Sequence, residues 1–148
     1  METTARITID RAAFGWPAGP WDDEPDEALW TDAATGLPCM ALRHHLGHWC
    51  GYVGLPPEHP LYGKGYSNEG MVFEVHGDLT FAGRIKLINE PNNNWWLGFD
   101  CAHYCDFSPN DVKNAADRGY PFEILPDQQY RTQAYVQEQC AKLAAQVS

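Results

Sequence analysis

The sequence predicts a single α+β domain in which an antiparallel sheet comes first and helices come late. Its 148 residues, 44% of them hydrophobic, suit one domain with a buried core. Short apolar segments separated by turn residues fill most of the chain, as in a β-meander, whereas apolar residues recur at helical spacing only near the C-terminus. This order of elements is typical of the α+β class.

The first part of the chain is predicted to hold an irregular entry segment and a three-stranded meander. Prolines and glycines interrupt residues 1–26, so no regular element is expected there. We expect Trp16 and Trp21 to pack this segment onto the domain. Strands are predicted at residues 28–31, 37–43 and 48–54, with turns between them.

A loop and a second group of strands are predicted to follow. Residues 55–66 hold three prolines and two glycines, which exclude a regular element. Alternating apolar and polar residues predict a half-buried strand over 71–76, which ends in a turn at Gly77 and Asp78. The remaining predicted elements are strands at 79–81, 84–88 and 95–99 and a polar turn over 89–94.

The C-terminus is predicted to be an amphipathic helix over residues 128–147, with Asp127 or Thr132 as its N-cap. A shorter helix is predicted to begin at Ser108 and Pro109, because serine favours the N-cap and proline the first helical position. The apolar residues that define the longer helix recur with a period of 3.6: Val136, Cys140, Leu143 and Val147.

The net charge argues against one class of function. The chain has 20 acidic and 10 basic residues and a formal charge of -10. Because nucleic-acid binding draws most of its affinity from lysine and arginine, direct nucleic-acid binding is not expected. An acidic surface suits a basic protein partner instead.

The same sequence predicts a cytoplasmic protein with free thiols. No apolar run approaches the roughly 20 residues that span a bilayer, and the N-terminus has no apolar segment typical of a secretory signal. The five cysteines are dispersed and odd in number, which does not suggest a disulfide framework.

The strongest candidate site is residues 95–106, where an apolar run ends in polar residues. On a turn or helix, Asp100, His103 and Asp106 share one face, which suits acid–base chemistry or a divalent metal as cofactor. On a strand, Cys101, His103 and Cys105 share a face, which suits zinc. We favour the turn or helix, because the apolar run is already long for a strand. The alternative without function is that His103 binds a buried carbonyl and the aspartates cap the turn.

Two further histidines are weaker candidates. His76 ends the predicted strand 71–76 and shares a face with Glu74, which could orient it as a base. An exposed histidine at a strand end is the simpler interpretation. His48 and Cys50 lie two residues apart on a predicted strand. They could complete a zinc site with the cysteines of 95–106 or form a nucleophile pair.

The loop over residues 55–66 is a candidate binding surface. Long ordered loops in small domains are often lids or binding sites. The polar and aromatic residues in it that could contact a ligand or a partner are His59, Tyr62, Lys64 and Tyr66.

Several blocks of the sequence resemble those of short uncharacterised proteins of bacteriophages and bacteria. The blocks are residues 51–54 and 59–64 (GYVG and HPLYGK), 75–80 (VHGDLT), 95–103 (WWLGFDCAH) and 19–26 (GPWDDEPD). Asp78 stands where the resemblance leads us to expect a second glycine. The resemblance implies a phage or prophage origin and a role inside the bacterial host cell, and it implies no particular activity.

One predicted function is a small hydrolase-like enzyme with a histidine–aspartate site, acid–base or metal-dependent. Its catalytic residues would be His76, His103, Asp100 and Asp106, and the loop 56–66 would be a lid. This hypothesis requires that the two histidines converge in the fold.

The alternative function is a phage-encoded acidic binding protein that inhibits a host defence protein without catalysis. Tryptophan and tyrosine are favoured anchors of protein interfaces. Trp16, Trp21, Tyr62 and Tyr66 all lie in segments predicted to be irregular, where they could contact a partner.

Overall fold

Six strands form one antiparallel sheet, and the C-terminal helix packs across it. The computed structural model describes residues 3–85 and 93–148. The strand order is β1-β2-β3-β4-β6-β5. The strands are β1 (Thr4–Arg6), β2 (Glu27–Thr31), β3 (Pro38–Arg43), β4 (Trp49–Leu55), β5 (Phe81–Gly83) and β6 (Trp95–Asp100). The helices are α1 (Arg11–Phe14), α2 (Pro109–Asp117) and α3 (Gln133–Val147). The predicted α+β class is confirmed.

Strand β4 is the centre of the core because it pairs with β3 on one side and β6 on the other. Its glycines allow aromatic side chains to lie directly on the backbone: a Cβ atom at Gly51 would lie 2.3 Å from the Phe99 ring. Helix α3 covers this region and contributes Val136, Cys140, Leu143, Ala144 and Val147 to the hydrophobic core. The apolar face predicted for the helix is therefore the face that packs on the sheet.

The prediction of a strand over residues 71–76 is wrong, although buried and exposed side chains do alternate there. Met71 and Val75 are buried, whereas Val72 is 89% exposed. The backbone of this segment pairs with side chains of α3 instead of a strand: Gln146 Oε1 accepts from Glu74 N at 2.7 Å, and a second α3 glutamine binds His76 N. The alternation therefore shows which side chains of residues 71–76 face the core. The hydrogen bonds to the backbone at Glu74 and His76 come from α3 and not from a neighbouring strand.

Other boundaries also differ from the predictions. The entry segment 1–26 contains β1, which pairs with β2, and the short helix α1. Helix α3 begins at Gln133 and not at residue 128, because Thr132 caps it by accepting from Tyr135 N. His48 lies just before β4 and not within it. Of the predicted elements over 84–88 and 89–94, residues 86–92 lie outside the described part of the chain.

A buried ionic network joins the entry segment to the sheet and to α3. Arg43 Nε donates to Asp26 Oδ1 at 2.9 Å, and both side chains have no exposed surface. The Asp26 carboxylate also accepts from Arg11 and from two backbone amides. Burial raises the pKa of Asp26, but these hydrogen bonds outweigh it and lower the pKa below its usual value. Glu24 links the network to the start of α3 by accepting from Gln133 N.

No helix among the described residues is both long and apolar enough to cross a bilayer.

Candidate active site

Three separate segments meet beside the N-terminal end of α3. The first carries His76 in the irregular loop before β5. The second is the turn that follows β6, closed by a hydrogen bond from Asp106 N to His103 O at 2.9 Å. The third is the segment before α3: Asp106 and Gln129 form an isolated parallel bridge, which places Arg131 beside the turn.

Asp106 is the centre of this cluster, with only 1% of its side chain exposed. Its carboxylate accepts from His76 Nε2 at 2.8 Å, from Arg131 Nε at 2.7 Å and from the backbone of His103 at 3.0 Å. Burial raises the pKa of Asp106, but the hydrogen bonds from His76, Arg131 and His103 outweigh it and lower the pKa to about 2. Asp106 is therefore ionised at neutral pH.

His76 connects Asp106 to a tyrosine. Its Nδ1 atom lies 2.8 Å from the Tyr135 hydroxyl, and its side chain is 7% exposed. An ionised carboxylate only accepts, so Nε2 carries the proton of a neutral ring and Nδ1 accepts from Tyr135. Burial raises the pKa of Tyr135, which keeps its hydroxyl protonated as a donor. The result is a hydrogen-bonded chain from Tyr135 through His76 to Asp106.

His103 and Asp100 form a second pair beside the first. His103 Nε2 lies 3.0 Å from Asp100 Oδ1, within ion-pair distance, but the angle is not that of a hydrogen bond. Thr80 Oγ1 donates to Asp100 Oδ2 at 3.0 Å. The rings of His76 and His103 have centroids 5.8 Å apart. The two histidines therefore converge, and each has an aspartate beside it.

Gly77 allows this convergence. Its φ is +67°, and a Cβ atom there would lie 2.1 Å from His103 Nε2. Asp78 follows with a φ of +63°, a conformation that non-glycine residues adopt at an energetic cost. Such strain collects at functional sites, where surrounding contacts hold it in place.

We expect Gly77→Ala to move the His103 ring away from Asp100, because the new methyl group occupies its place. The NMR resonances of the His103 ring report this movement. The matched control is Gly63→Ala, since Gly63 also has a positive φ, +83°, with nothing within 4 Å of a new Cβ atom. Both variants should lose about 1 kcal/mol of stability because of the positive φ, and Gly77→Ala should lose more because its methyl group displaces the His103 ring. Unchanged His103 resonances in Gly77→Ala would contradict the packing argument.

The structure supports a metal site less well than the sequence does. Among the described residues, one trio has ligand atoms within 4.8 Å of one another: His76, Cys105 and Asp106. These residues would hold a cation, and it would act as a Lewis acid there. However, the Asp106 oxygens already accept from Arg131 and from a backbone amide. The donor set in its present arrangement therefore fits acid–base chemistry better than metal binding.

The other predicted ligand sets are not assembled. The face shared by Cys101, His103 and Cys105 would need a strand, but β6 ends at Asp100. Burial raises the pKa of Cys50 to about 12 and also raises that of Cys101, so both thiols stay protonated. Cys50 and Cys101 therefore behave as core residues.

The predicted orienting partner of His76 is also wrong. Glu74 has an 88% exposed side chain, which lies 4.0 Å from Lys142. Asp106 takes its place beside His76. The strand face that would have joined Glu74 to His76 does not form.

The loop 55–66 contacts the opposite end of α3. His59 Nε2 lies 2.8 Å from the carbonyl of Val147, about 18 Å along the helix from Tyr135. Tyr62 donates to Asn93 O at 2.7 Å. Lys64 is exposed, and Tyr66 is 51% exposed. The predicted binding residues thus form a surface of their own, and the loop does not cover the two histidines.

Two depressions border the histidines. A cleft of about 720 Å³ lies on the His103 side and extends along α2 to Phe107, Tyr120 and Phe122. A shallower groove of about 360 Å³ lies on the His76 side; it is lined by Glu74, His76, Asp78, Tyr135, Gln139 and Lys142. The hydroxyl of Tyr135 and the ring of His103 therefore border different open spaces.

Two residues of the site were missed by the sequence analysis, Arg131 and Tyr135. They lie four residues apart, which would place them on one face of the helix predicted over 128–147, although Arg131 precedes the first residue of α3. Arg131 lies over the Tyr135 ring, 4.9 Å from its centroid. This spacing is the available signal in the sequence, and it is common in helices without any function.

Comparison with protein-family models, with curated proteins and with solved structures finds no match for this chain.

Proposed function

We propose that this protein is a small hydrolase that uses general acid–base catalysis by two histidine–aspartate pairs. The observation that carries the proposal is the convergence of His76 and His103, 5.8 Å between ring centroids, each beside its own aspartate. His76 lines the groove and His103 lines the neighbouring cleft, so a substrate that spans the two depressions would meet a proton donor or acceptor in each.

The two pairs differ in burial, which suits different roles. The His76 pair is almost fully buried, and Asp106 orients its ring and stabilises the positive charge that it gains on accepting a proton. The His103 side chain is 33% exposed, although its Nε2 atom is buried beside Asp100, so it would pass a proton to a leaving group, or take one from water, through Nδ1. In this arrangement, the buried His76 would act as the base, and His103 would act as the acid that exchanges its proton with solvent.

Hydrolysis of p-nitrophenyl acetate and bis(p-nitrophenyl) phosphate tests the proposal. We expect His76→Gln to lower kcat/KM by about 10²–10⁴-fold, the usual contribution of a general base, and His103→Gln to lower it by a smaller factor. His45→Gln is the matched control, because His45 is exposed and lies outside the site. Circular dichroism and urea unfolding confirm that each variant folds. Equal turnover by all three variants would rule out the enzyme.

A second candidate function, supported by the exposed apolar surface, is a phage-encoded binding protein that inhibits a host defence protein. Between residues 104 and 125, four large apolar side chains are exposed: Tyr104 (79%), Tyr120 (67%), Ile124 (55%) and Leu125 (42%). Exposed apolar residues in one segment suit a protein interface. Trp21, one of the predicted anchors, is buried and does not contribute.

Expression of variants in bacterial host cells distinguishes the two functions. An inhibitor should keep its effect on the host in His76→Gln and lose it in Tyr104→Ser. An enzyme should lose its effect in His76→Gln and keep it in Tyr104→Ser.

A further inference from the structure

We propose that Tyr135 is the nucleophile of this site. This inference rests on the proposed hydrolase function and adds to it the group that attacks.

The first argument is the position of Tyr135 between His76 and open space. Both ring nitrogens of His76 have partners: Nε2 binds Asp106 and Nδ1 binds the Tyr135 hydroxyl. His76 therefore meets a substrate through this hydroxyl. Tyr135 also lines the groove of about 360 Å³. Hydroxyl, imidazole and carboxylate in series are the nucleophile, base and orienting group of covalent catalysis.

The second argument concerns the groups that hold the Tyr135 ring. The guanidinium of Arg131 lies over the ring, 4.9 Å from its centroid, and Arg131 Nε donates to Asp106 Oδ1 at 2.7 Å. The His76 ring meets the Tyr135 ring edge-on, with centroids 5.3 Å apart. Tyr135 is therefore packed against the two side chains that bind Asp106, which fixes its hydroxyl against Nδ1 of His76.

With a phosphate ester as the probe substrate, the reaction balances with water as the only co-reactant. In the first step, the O–H bond of Tyr135 breaks, its proton moves to Nδ1 of His76, and the Tyr135 oxygen bonds to phosphorus. The bond from phosphorus to the leaving alcohol breaks, and that oxygen takes a proton from protonated His103. In the second step, water attacks phosphorus and gives its proton to His103. The bond between Tyr135 and phosphorus then breaks, and the Tyr135 oxygen takes back its proton from His76.

Covalent labelling with diisopropyl fluorophosphate tests the nucleophile. The reagent transfers its phosphoryl group to an activated oxygen and releases fluoride. We expect intact-protein mass spectrometry to show one adduct, and peptide mapping to place it on Tyr135. Tyr135→Phe should abolish the adduct, and His76→Gln should slow its formation by about 100-fold or more. Tyr104→Phe is the control, because Tyr104 is 79% exposed and lies outside the hydrogen-bonded chain.

The outcomes separate this inference from the proposed function. An adduct on Tyr104 at the same rate, or no adduct in the wild type, would overturn Tyr135 as nucleophile. Hydrolysis of bis(p-nitrophenyl) phosphate at the wild-type rate by Tyr135→Phe, with His76→Gln inactive, would also overturn it and leave the acid–base hydrolase in place. If neither substitution changes turnover, the proposed function fails as well.

Discussion

Replacing Asp26 with alanine is expected to lower the free energy of unfolding by about 3 kcal/mol, the cost of removing one partner from a buried charge. Asp26 and Arg43 both have fully buried side chains, so Arg43 cannot recover its solvation in water and keeps Glu24, at 3.2 Å, as its remaining carboxylate partner. The substitution also leaves the amides of Thr8 and Ile9 without their acceptor. Urea unfolding followed by circular dichroism measures the change.

Two further variants locate the cause of that loss. Asp23→Ala removes an exposed carboxylate from the same segment, and we expect a change within about 0.5 kcal/mol. The double variant Asp26→Leu with Arg43→Met removes both charges and should recover part of the stability, because apolar replacements of buried pairs are often neutral or better. A loss in Asp26→Ala no larger than that in Asp23→Ala would contradict the buried-charge argument.

Replacing Asp106 with asparagine is expected to lower hydrolytic activity by about 10³–10⁴-fold, as when a triad loses its orienting carboxylate. The amide can donate to His76, which favours the ring tautomer whose proton lies on Nδ1. That tautomer cannot accept the Tyr135 proton. The measurement is kcat/KM for bis(p-nitrophenyl) phosphate, and ¹⁵N chemical shifts of the His76 ring report the tautomer. Wild-type activity in a variant with a changed tautomer would show that the ring's orientation does not matter.

Asp106→Asn is also expected to change the way in which stability depends on pH below pH 4. Because the pKa of Asp106 in the folded protein is about 2, below the ordinary value of 3.8, the charged carboxylate stabilises the fold above pH 4. This contribution, about 2 kcal/mol, is lost as the pH falls from about 4 to about 2. Asp106→Asn should therefore show a flatter dependence of unfolding free energy on pH across that window, and Asp23→Asn should match the wild type. Identical pH profiles for Asp106→Asn and wild type would contradict the ion-paired carboxylate.

Local patterns predicted the core of the fold well. The apolar period of 3.6 predicts the face of α3 that packs on the sheet, and the run over residues 95–99 predicts β6, which pairs with β4. Residues 71–76 show the limit of such patterns: the same alternation arises when an extended segment lies on a helix, and the choice of hydrogen-bond partner depends on distant residues. Glutamines at positions 139 and 146 make that choice.

The sequence analysis singled out His76 and His103, which lie close together, but not which aspartate lies beside each of them. His76 and His103 do converge, but Asp106 binds His76 and only Asp100 lies beside the His103 ring. Sequence spacing favoured Glu74 for His76 because the two are close along the chain. The actual partner is 30 residues away, and the bridge between Asp106 and Gln129 brings Arg131 there. No local pattern encodes such a contact.

Two glutamines hold the loop of His76, so the residues that would tune the proposed catalysis differ from those that stabilise the core. Gln139 and Gln146 lie at the edge of the apolar face of α3 and are not core residues, so substitutions there should leave core packing intact. They would nevertheless shift the backbone that positions the base. A related protein could therefore differ in reactivity through substitutions at these two polar positions. Its sheet and core would stay the same, so two proteins with this fold could differ in function.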